Sequence, residues 1–287
     1  MLEDGQFYPY QPVQFMDGLV APIIGTQPRS LAHFAEQAGL LVNLAVCLDP
    51  ASIDSYPGSG QTWSDISGNA RHFVLGATGS SSTDDPTFNG TAGALDNTAY
   101  FSSDGGDGFL KASANDTFFN GLHNVGSAWT MIVLEYYVSA YGPGGCSQSG
   151  SFTGTNTANG ITTFITSAKP RIGMGNGSVA LAADGITTGS PMVTSAMLMT
   201  GLGARLNSTT SRDWTGYVNG TYETNNYTSP TWASSSAASA TFALGIAGST
   251  FIGSSRRIYG FMMFDKLLVQ SEFDALRTLI QTRHPTI

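Results

Sequence analysis

From about residue 46 onward the sequence consists of short β-prone runs separated by clusters of Gly, Ser, Asn and Asp. This pattern is typical of an antiparallel sandwich and not of alternating strand–helix units. The strongest run is 129–138, and its apolar residues fall on both faces, so we expect it at the centre of a sheet. Asn219-Gly220 lies between two further runs and predicts a type I′ hairpin turn, in which both central residues need positive φ. The sequence therefore predicts an all-β fold.

A short helix is predicted on either side of this region. Segment 30–39 places Ser30 at an N-cap position and Gly39 at the stop, with an apolar stripe between them. A C-terminal helix is predicted from about Gln270, with apolar residues on one face and Pro285 after its end.

Residues 1–45 differ from the rest, because four prolines interrupt any regular element while aromatic residues supply apolar anchors. We expect an extended N-terminal arm with one short helix, followed by the sandwich over residues 46–287. Exposed aromatic residues would cost about 25 cal/mol per Å² of apolar surface, so the arm is predicted to lie on a neighbouring chain. The anchors expected at that interface are Phe7, Tyr8, Tyr10, Phe15 and Met16, supported by Leu31 and Phe34.

Charged residues make up only 11% of the chain, and the net charge is -8. The lack of a Lys- and Arg-rich cluster argues against nucleic-acid binding, since phosphate contacts need such clusters. The N-terminal segment is acidic and proline-containing, and the longest apolar run, 38–48, is too short for a bilayer and contains Asn43. We therefore expect neither a signal peptide nor insertion into a membrane.

Candidates for metal binding and cross-linking are few. Cys47 and Cys146 lack zinc-ligand spacing, and either a disulfide or two separate buried thiols fits their positions. Asp104 and Asp107 lie in a Gly-rich segment and are weak calcium candidates, although Asp-Gly pairs also form ordinary turns. No other cofactor is predicted.

The sequence offers no catalytic constellation. Glycosidases of comparable sandwich folds use two carboxylates on one strand, whereas none of the five glutamates here has a partner at that spacing. Glu135 lies inside the strongest strand, and a hydrogen-bonded structural role is predicted for it. The four histidines are dispersed, and there is no Gly-x-Ser-x-Gly motif. The chain is therefore predicted not to be an enzyme.

Several motifs occur in a distinctive order along the chain. Leu48-Asp49 is followed by "SYPGSG" (55–60), "TWSDISGN" (62–69) and "PTF" (86–88), and later by "YVNG" (217–220) and "FIGSSRRIYGFMMFDKLLVQSEFDALR". In this order they resemble the concanavalin A-like lectin and laminin-G-like jelly-roll domains of tailed-bacteriophage virion proteins, over roughly residues 42–284. Val269 replaces the family's capping Ser, so the last helix is predicted to start at Ser271. Trp63 fits either a core residue or a sugar-stacking platform.

The resemblance implies a concanavalin A-like jelly-roll sandwich in a non-enzymatic virion structural protein. The first hypothesis is a capsid decoration protein on the virion surface, fastened through its arm to a capsid or tail protein in many copies or as a homo-oligomer. The alternative is a tail-fibre or head-fibre adhesin that binds host surface glycans. Aromatic and amide side chains in the predicted loops are its weak candidate sugar contacts, namely Tyr141, Asn156, Asn159 and Trp232.

Overall fold

The computed structural model describes residues 29–104, 107–111, 116–138, 146–147, 159–228, 231–232, 236–238, 241–247, 250–251 and 255–287. The helices are α1 (Leu31–Gln37), α2 (Thr117–Asn120) and α3 (Gln270–Ile280), and a 3₁₀ turn spans Leu41–Asn43. The strands are β1 (Leu44–Leu48), β2 (Thr62–Trp63), β3 (Phe73–Leu75), β4 (Thr87–Asn89), β5 (Tyr100–Ser103), β6 (Phe109–Lys111), β7 (Ala128–Tyr137), β8 (Cys146–Ser147), β9 (Gly160–Thr166), β10 (Lys169–Gly175), β11 (Ala180–Asp184), β12 (Met197–Leu206), β13 (Ser211–Val218), β14 (Thr221–Thr228), β15 (Ala243–Leu244), β16 (Ile246–Ala247), β17 (Thr250–Phe251) and β18 (Arg256–Phe264).

Two eight-stranded antiparallel sheets form the fold. Sheet 1 has the order β14-β13-β12-β7-β18-β5-β4, with β1 also paired to β18, and sheet 2 has the order β11-β10-β9-β8-β15-β6-β3-β2. The inner face of sheet 1 packs on sheet 2 around Trp129, Met131, Ile161 and Ile172. The predicted all-β sandwich with a C-terminal helix is confirmed. The predicted arm lies outside the described residues up to position 28.

The central strand and the hairpin occur where the sequence predicts them. Strand β7 lies between β12 and β18 in the middle of sheet 1. Asn219 (φ 46°) and Gly220 (φ 101°) join β13 to β14 with positive φ at both positions, as the type I′ prediction requires.

The opposite face of sheet 1, which we call its helix face, is covered in part by α1 and α3. Ser30 Oγ accepts a hydrogen bond from the His33 N–H (3.4 Å) at the start of α1, and Gly39 has φ 73° after its end, so this predicted helix is confirmed. Leu31 and Phe34 are 0% and 2% exposed, because they pack within the chain in the cluster that also contains α3. Their predicted contact with a partner is therefore wrong, and the helix assigned to the arm is part of the sandwich domain.

Helix α1 is tied to the sandwich by a buried ion pair. Asp49 Oδ2 accepts hydrogen bonds from the Leu31 N–H (2.8 Å) and from Arg283 Nη1 (2.9 Å), while Asp49 Oδ1 accepts one from the Ala51 N–H (3.1 Å). Arg283 also donates to the carbonyl oxygen of Arg29 (3.2 Å). One carboxylate thus joins β1, the start of α1 and the segment after α3.

The motif 62–69 has a structural role. Asp65 Oδ1 accepts from the N–H groups of Cys47 (2.8 Å) and Ser67 (2.9 Å), and Asp65 Oδ2 accepts from Ser67 Oγ (2.8 Å) and the Arg71 N–H (2.9 Å). Trp63 is fully buried between Phe101 and Phe109, with ring centroids 4.9 and 4.8 Å away. Of its two predicted roles the core role is confirmed, since a sugar cannot reach the indole.

Helix α3 begins at Gln270, as its apolar pattern predicts, and one residue before the start that the missing capping Ser predicts. The Val269 N–H donates a hydrogen bond to Glu272 Oε2 (3.0 Å), so the helix starts at Gln270 and not at Ser271. This bond is the half of the capping box that requires no polar side chain at the N-cap position. Phe273 packs directly on Gly201 of β12, where an added Cβ would lie 2.4 Å from the ring. In the described ranges no helix has the length and apolar character needed to cross a bilayer.

Cys47 is a free, fully buried thiol in β1, and burial raises its pKa. This result favours the separate-thiol alternative for Cys47. The side chain of Cys146 lies outside the described residues.

Candidate functional site

A groove of about 400 Å³ opens on the part of the helix face that α1 and α3 leave uncovered. Its floor comes from β18, β7 and β12, and its rim comes from the loop before β5, the loop before β12 and the segment after α3. We call it the tyrosine groove, and its lining is Asn97, Tyr136, Ser195, Ala196, Met197, Arg257, Tyr259, His284, Pro285 and Thr286. Its volume lies within the roughly 300–1,000 Å³ of ligand pockets.

A β-bulge in β18 aims two floor residues into the groove. Ile258 pairs with Glu135 and Gly260 with Leu134, so Tyr259 is an extra residue in the ladder. Because of this extra residue, side chains before and after the bulge stay on the same faces as their partners in β7. Arg257 and Tyr259 both lie on the helix face. Gly260 has no side chain there because Leu31 Cδ1 would lie 2.3 Å from an added Cβ.

Tyrosine rings surround the guanidinium of Arg257. Its Cζ lies 5.0 Å from the ring centroid of Tyr100 and 5.1 Å from that of Tyr136, which come from β5 and β7 on either side of β18. Tyr100 also packs on Tyr259, with ring centroids 5.1 Å apart. The hydrogen bond with Tyr259 is the largest cause that raises the pKa of Arg257, and burial raises the pKa of Tyr259. The groove therefore presents one guanidinium among tyrosine rings.

His284 forms a neutral wall of the groove. Burial, followed by the charge of Arg283, lowers its pKa to about 3. Its Nε2 accepts a hydrogen bond from Arg283 Nε (3.2 Å), and its ring meets that of Tyr259 edge-on, with centroids 5.4 Å apart. Because Arg283 is held by Asp49, the buried ion pair also fixes the position of this wall.

The lowered pKa of His284 predicts a loss of stability in acid. In the unfolded chain the pKa of His284 returns to about 6.5. Below that pH the unfolded state binds a proton that the folded state does not bind until about pH 3, so stability falls. Between pH 7 and pH 5 the wild type should lose about 2 kcal/mol more than His284→Gln. Urea unfolding of both proteins at the two pH values measures this difference, and equal losses would contradict it.

A second cavity, of about 340 Å³, lies beyond Arg257 and Tyr100 and contains both calcium candidates. The Asp104 N–H donates to Asp107 Oδ2 (3.1 Å), and burial raises the pKa of Asp107. Within the described ranges no group of three or more His, Cys, Asp or Glu side chains converges on a point, so the two aspartates do not gain a further acidic ligand there.

One of the predicted sugar contacts, Trp232, is a core residue. Trp232 is 0% exposed, its Nε1 donates to the His123 carbonyl oxygen (2.8 Å), and the guanidinium of Arg212 lies 5.1 Å from its ring. Its predicted contact with a glycan is therefore wrong. Asn159 is partly buried and lies beside Gly177, away from the groove lining. Tyr141 and Asn156, like the arm residues Phe7, Tyr8, Tyr10, Phe15 and Met16, lie outside the described residues.

Glu135 has a structural environment. It faces sheet 2 and is 3% exposed, its Oε2 lies 3.5 Å from Arg256 Nη1, and burial raises its pKa. The adjoining cavity holds only about 30 Å³, room for about one water molecule. Arg256 Nη1 donates a hydrogen bond to Glu135 Oε2, so the hydrogen-bonded role predicted for Glu135 is confirmed.

Comparison with known proteins shows the fold. No family profile and no curated protein matches the sequence. Among solved structures, domain 4 of the arabinanase AbnA from Geobacillus stearothermophilus, in complex with arabinotriose, matches at 14% identity and a TM-score of 0.51, over 82% of this chain and 98% of that one. The receptor-binding domain of botulinum neurotoxin type G matches at 10% identity and a TM-score of 0.51, over 84% of this chain and 51% of that one.

A structure of botulinum neurotoxin type C matches at 12% identity and a TM-score of 0.50, over 85% of this chain and 53% of that one. Cell entry of that toxin depends on interaction with two ganglioside molecules. The fold is a lectin-like jelly roll. At these identities the likeness shows the fold alone, and this jelly roll spans about half the length of the neurotoxin chains. Domain 4 of the arabinanase, in contrast, is matched almost end to end.

The motifs in the sequence do not indicate the groove of this jelly roll. The available signal was the alternation of Arg257 with Tyr259 and the position of Tyr136 on the face opposite Tyr137. Tyr100 could be added only once the pairing of β5 with β18 was known.

Proposed function

We propose that this chain is a non-enzymatic glycan-binding protein and that the tyrosine groove is its sugar site. The observation that carries the proposal is the convergence of Tyr100, Tyr136 and Tyr259 beside an open groove on one sheet face. Aromatic rings bind the apolar faces of sugars, while polar groups at the edge bind hydroxyls. The rim supplies such groups from Asn97 and Thr286. The arabinotriose complex of one similar fold, and the dependence of botulinum neurotoxin type C on gangliosides for cell entry, agree with this proposal.

The groove lining supports binding without hydrolysis. A glycosidase of the usual kind needs two carboxyl groups on either side of the scissile bond, about 5–10 Å apart. The ten lining residues of the groove, all within the described chain, include no Asp and no Glu. The lining offers one arginine and a neutral histidine, which can hold a sugar but do not provide that acid–nucleophile pair.

Replacement of Tyr136 by Ala tests the site. Tyr136 is partly exposed on the groove floor, so its loss should weaken binding to a glycan that the wild type binds by about tenfold or more. The matched control is Tyr227→Ala, because Tyr227 is 38% exposed on β14, outside the groove lining. Binding is measured on an array of bacterial surface polysaccharides and then by calorimetry. No binding by the wild type, or equal losses in the two variants, would refute the proposal.

We further propose that the protein acts on the surface of a phage virion. The motif order around Asp49, Trp63 and Asp65 supports this setting through its resemblance to virion jelly rolls. A single groove of this size binds one short sugar segment, and many copies on one particle would raise the avidity by 10²–10⁴-fold without any new contact. Multicopy display therefore suits an adhesin with weak individual sites.

A capsid decoration role is the second candidate, and residues 1–28 support it through their aromatic and proline content. The structure refines the deletion that tests it. Arg29 must stay, because its carbonyl accepts from Arg283, and so must the helix cap Ser30. Removal of residues 1–28 should abolish binding to virions that lack the protein while leaving the melting temperature and glycan binding unchanged. Undiminished virion binding by the shortened protein would exclude arm attachment.

A further inference from the structure

Arg257 is the charged group of the groove, and its surroundings differ from those of four arginines elsewhere in the fold. Arg71, Arg205, Arg256 and Arg283 each form an ion pair with an Asp or Glu. Within the described part of the chain, Arg257 has tyrosines around it and no carboxylate within ion-pair distance.

The packing of Arg257 defines which of its atoms a ligand can reach. Tyr100 and Tyr136 lie about 5 Å from the guanidinium and hold it by cation–π contact, and Tyr259 takes part in one hydrogen bond with it. The donors of a guanidinium lie in its plane, and there are five of them. The contacts therefore hold the group in place while several in-plane N–H donors remain for a ligand, which lowers the ordering cost of binding.

The charge around the groove favours an anion. The lining contains no Asp or Glu among its described residues, and His284 is neutral. The nearby Asp96 carboxylate accepts from the N–H (2.8 Å) and Oγ1 (2.7 Å) of Thr98. Arg257 also lines the second cavity together with Asp104 and Asp107, which are not among the groove lining residues. A partly buried guanidinium is costly without a counter-charge, so a ligand that supplies one gains a charge-assisted pair.

The number of cationic side chains in the groove lining indicates which kind of anion the groove can bind. A phosphate monoester carries a charge near −2 at neutral pH and is normally held by several cations or helix N-termini, whereas a carboxylate carries −1 and matches one arginine fork. The groove lining has a single arginine and no lysine.

We propose that the tyrosine groove selects acidic glycans, with Arg257 binding the carboxylate of a uronic-acid or other carboxyl-bearing sugar while Tyr136 and Tyr259 pack against the rings. This inference rests on the proposed glycan-binding function and adds the class of sugar. The groove then recognises a sugar by its charge and by its apolar face together.

Paired polysaccharides test the proposal with the full chain. Each acidic bacterial polysaccharide is arrayed in its native form and after chemical reduction of its carboxyl groups to alcohols, and phosphate-bearing and neutral polysaccharides are included. Binding to native acidic members should fall about tenfold or more after carboxyl reduction. Binding that is unchanged by reduction, or that is confined to neutral or phosphate-bearing members, would overturn the inference and leave glycan binding intact. No signal on any member would overturn both.

Two variants show whether Arg257 is responsible. Arg257→Gln should lose about tenfold or more in affinity for native acidic members while its affinity for the carboxyl-reduced forms changes little. Arg257→Lys keeps the charge without the planar fork and should fall between the two. Thermal melting reports whether each variant is folded. If the folded Arg257→Gln protein retained its preference for carboxyl-bearing glycans, a group other than Arg257 would recognise the carboxylate.

Discussion

Replacement of Asp49 by Asn should lower the free energy of unfolding by about 3–5 kcal/mol, although Asn has the same shape. Asp49 and Arg283 are 0% and 3% exposed, and their charges meet at 2.9 Å. The substitution leaves the guanidinium buried without a counter-charge. Asn also has only one oxygen to accept from Leu31 and Ala51, each of which now donates to a different Asp49 oxygen. Urea denaturation of the two proteins at pH 7 measures the loss.

The matched control is Asp213→Asn. Asp213 pairs with Arg205 at 2.8 Å, but the arginine side chain is 54% exposed, so this change should cost less than about 1 kcal/mol. Combining Asp49→Asn with Arg283→Met should recover part of the loss, because the orphaned charge is removed. Similar losses from the two single aspartate changes, or a double variant as unstable as the sum of its parts, would contradict the assigned role of the pair.

Truncation of Trp63 to Ala should cost about 3–5 kcal/mol, the range for removing a large aromatic side chain from a packed core. The indole is fully buried, and its neighbour Phe101 also packs on Tyr56 with ring centroids 4.9 Å apart, so the resulting cavity cannot collapse without disturbing a chain of rings. Trp63→Phe should cost much less, because it keeps a ring and removes an indole N–H that has no partner in the described core.

The control for Trp63 is Ile53→Ala, at a side chain that is 60% exposed and should contribute less than about 0.5 kcal/mol. Denaturant unfolding gives the stabilities. Glycan binding by folded Trp63→Phe should equal that of the wild type, since the residue is far from solvent. A stability change below about 1 kcal/mol for Trp63→Ala would show that the indole is not part of the core.

Local patterns were enough to predict the elements but not the site. The Asn219-Gly220 turn, the cap of α1 and the central position of β7 each depend on a few neighbouring residues, and all were predictable. The groove requires the order β5-β18-β7-β12, in which neighbours in space are far apart in sequence. The bulge at Tyr259 also breaks the simple alternation that would have assigned faces along β18.

The errors in the predicted site have the same origin. The small polar residues around Trp232 in the sequence predict a surface loop, yet His123 and Arg212, both remote in sequence, enclose its side chain. Leu31 and Phe34 belong to the predicted arm, whose apolar residues are expected on a neighbouring chain, whereas Asp49 fixes their helix on the sandwich itself. Burial is a property of tertiary packing, and composition alone does not reveal it.

The division of the groove into a floor and a rim has a consequence for how its specificity can evolve. Floor residues such as Tyr259 and Met197 are fixed by strands that also build the core. Rim residues Asn97, Ser195 and Thr286 are exposed and lie between or after regular elements. Under the proposed glycan-binding function, substitutions at Asn97 and Thr286 should change the accepted sugar at little cost in folding, whereas Ser195, with a φ of 60°, accepts fewer residue types. A randomised library over the rim would therefore yield jelly rolls of altered glycan preference from one stable scaffold.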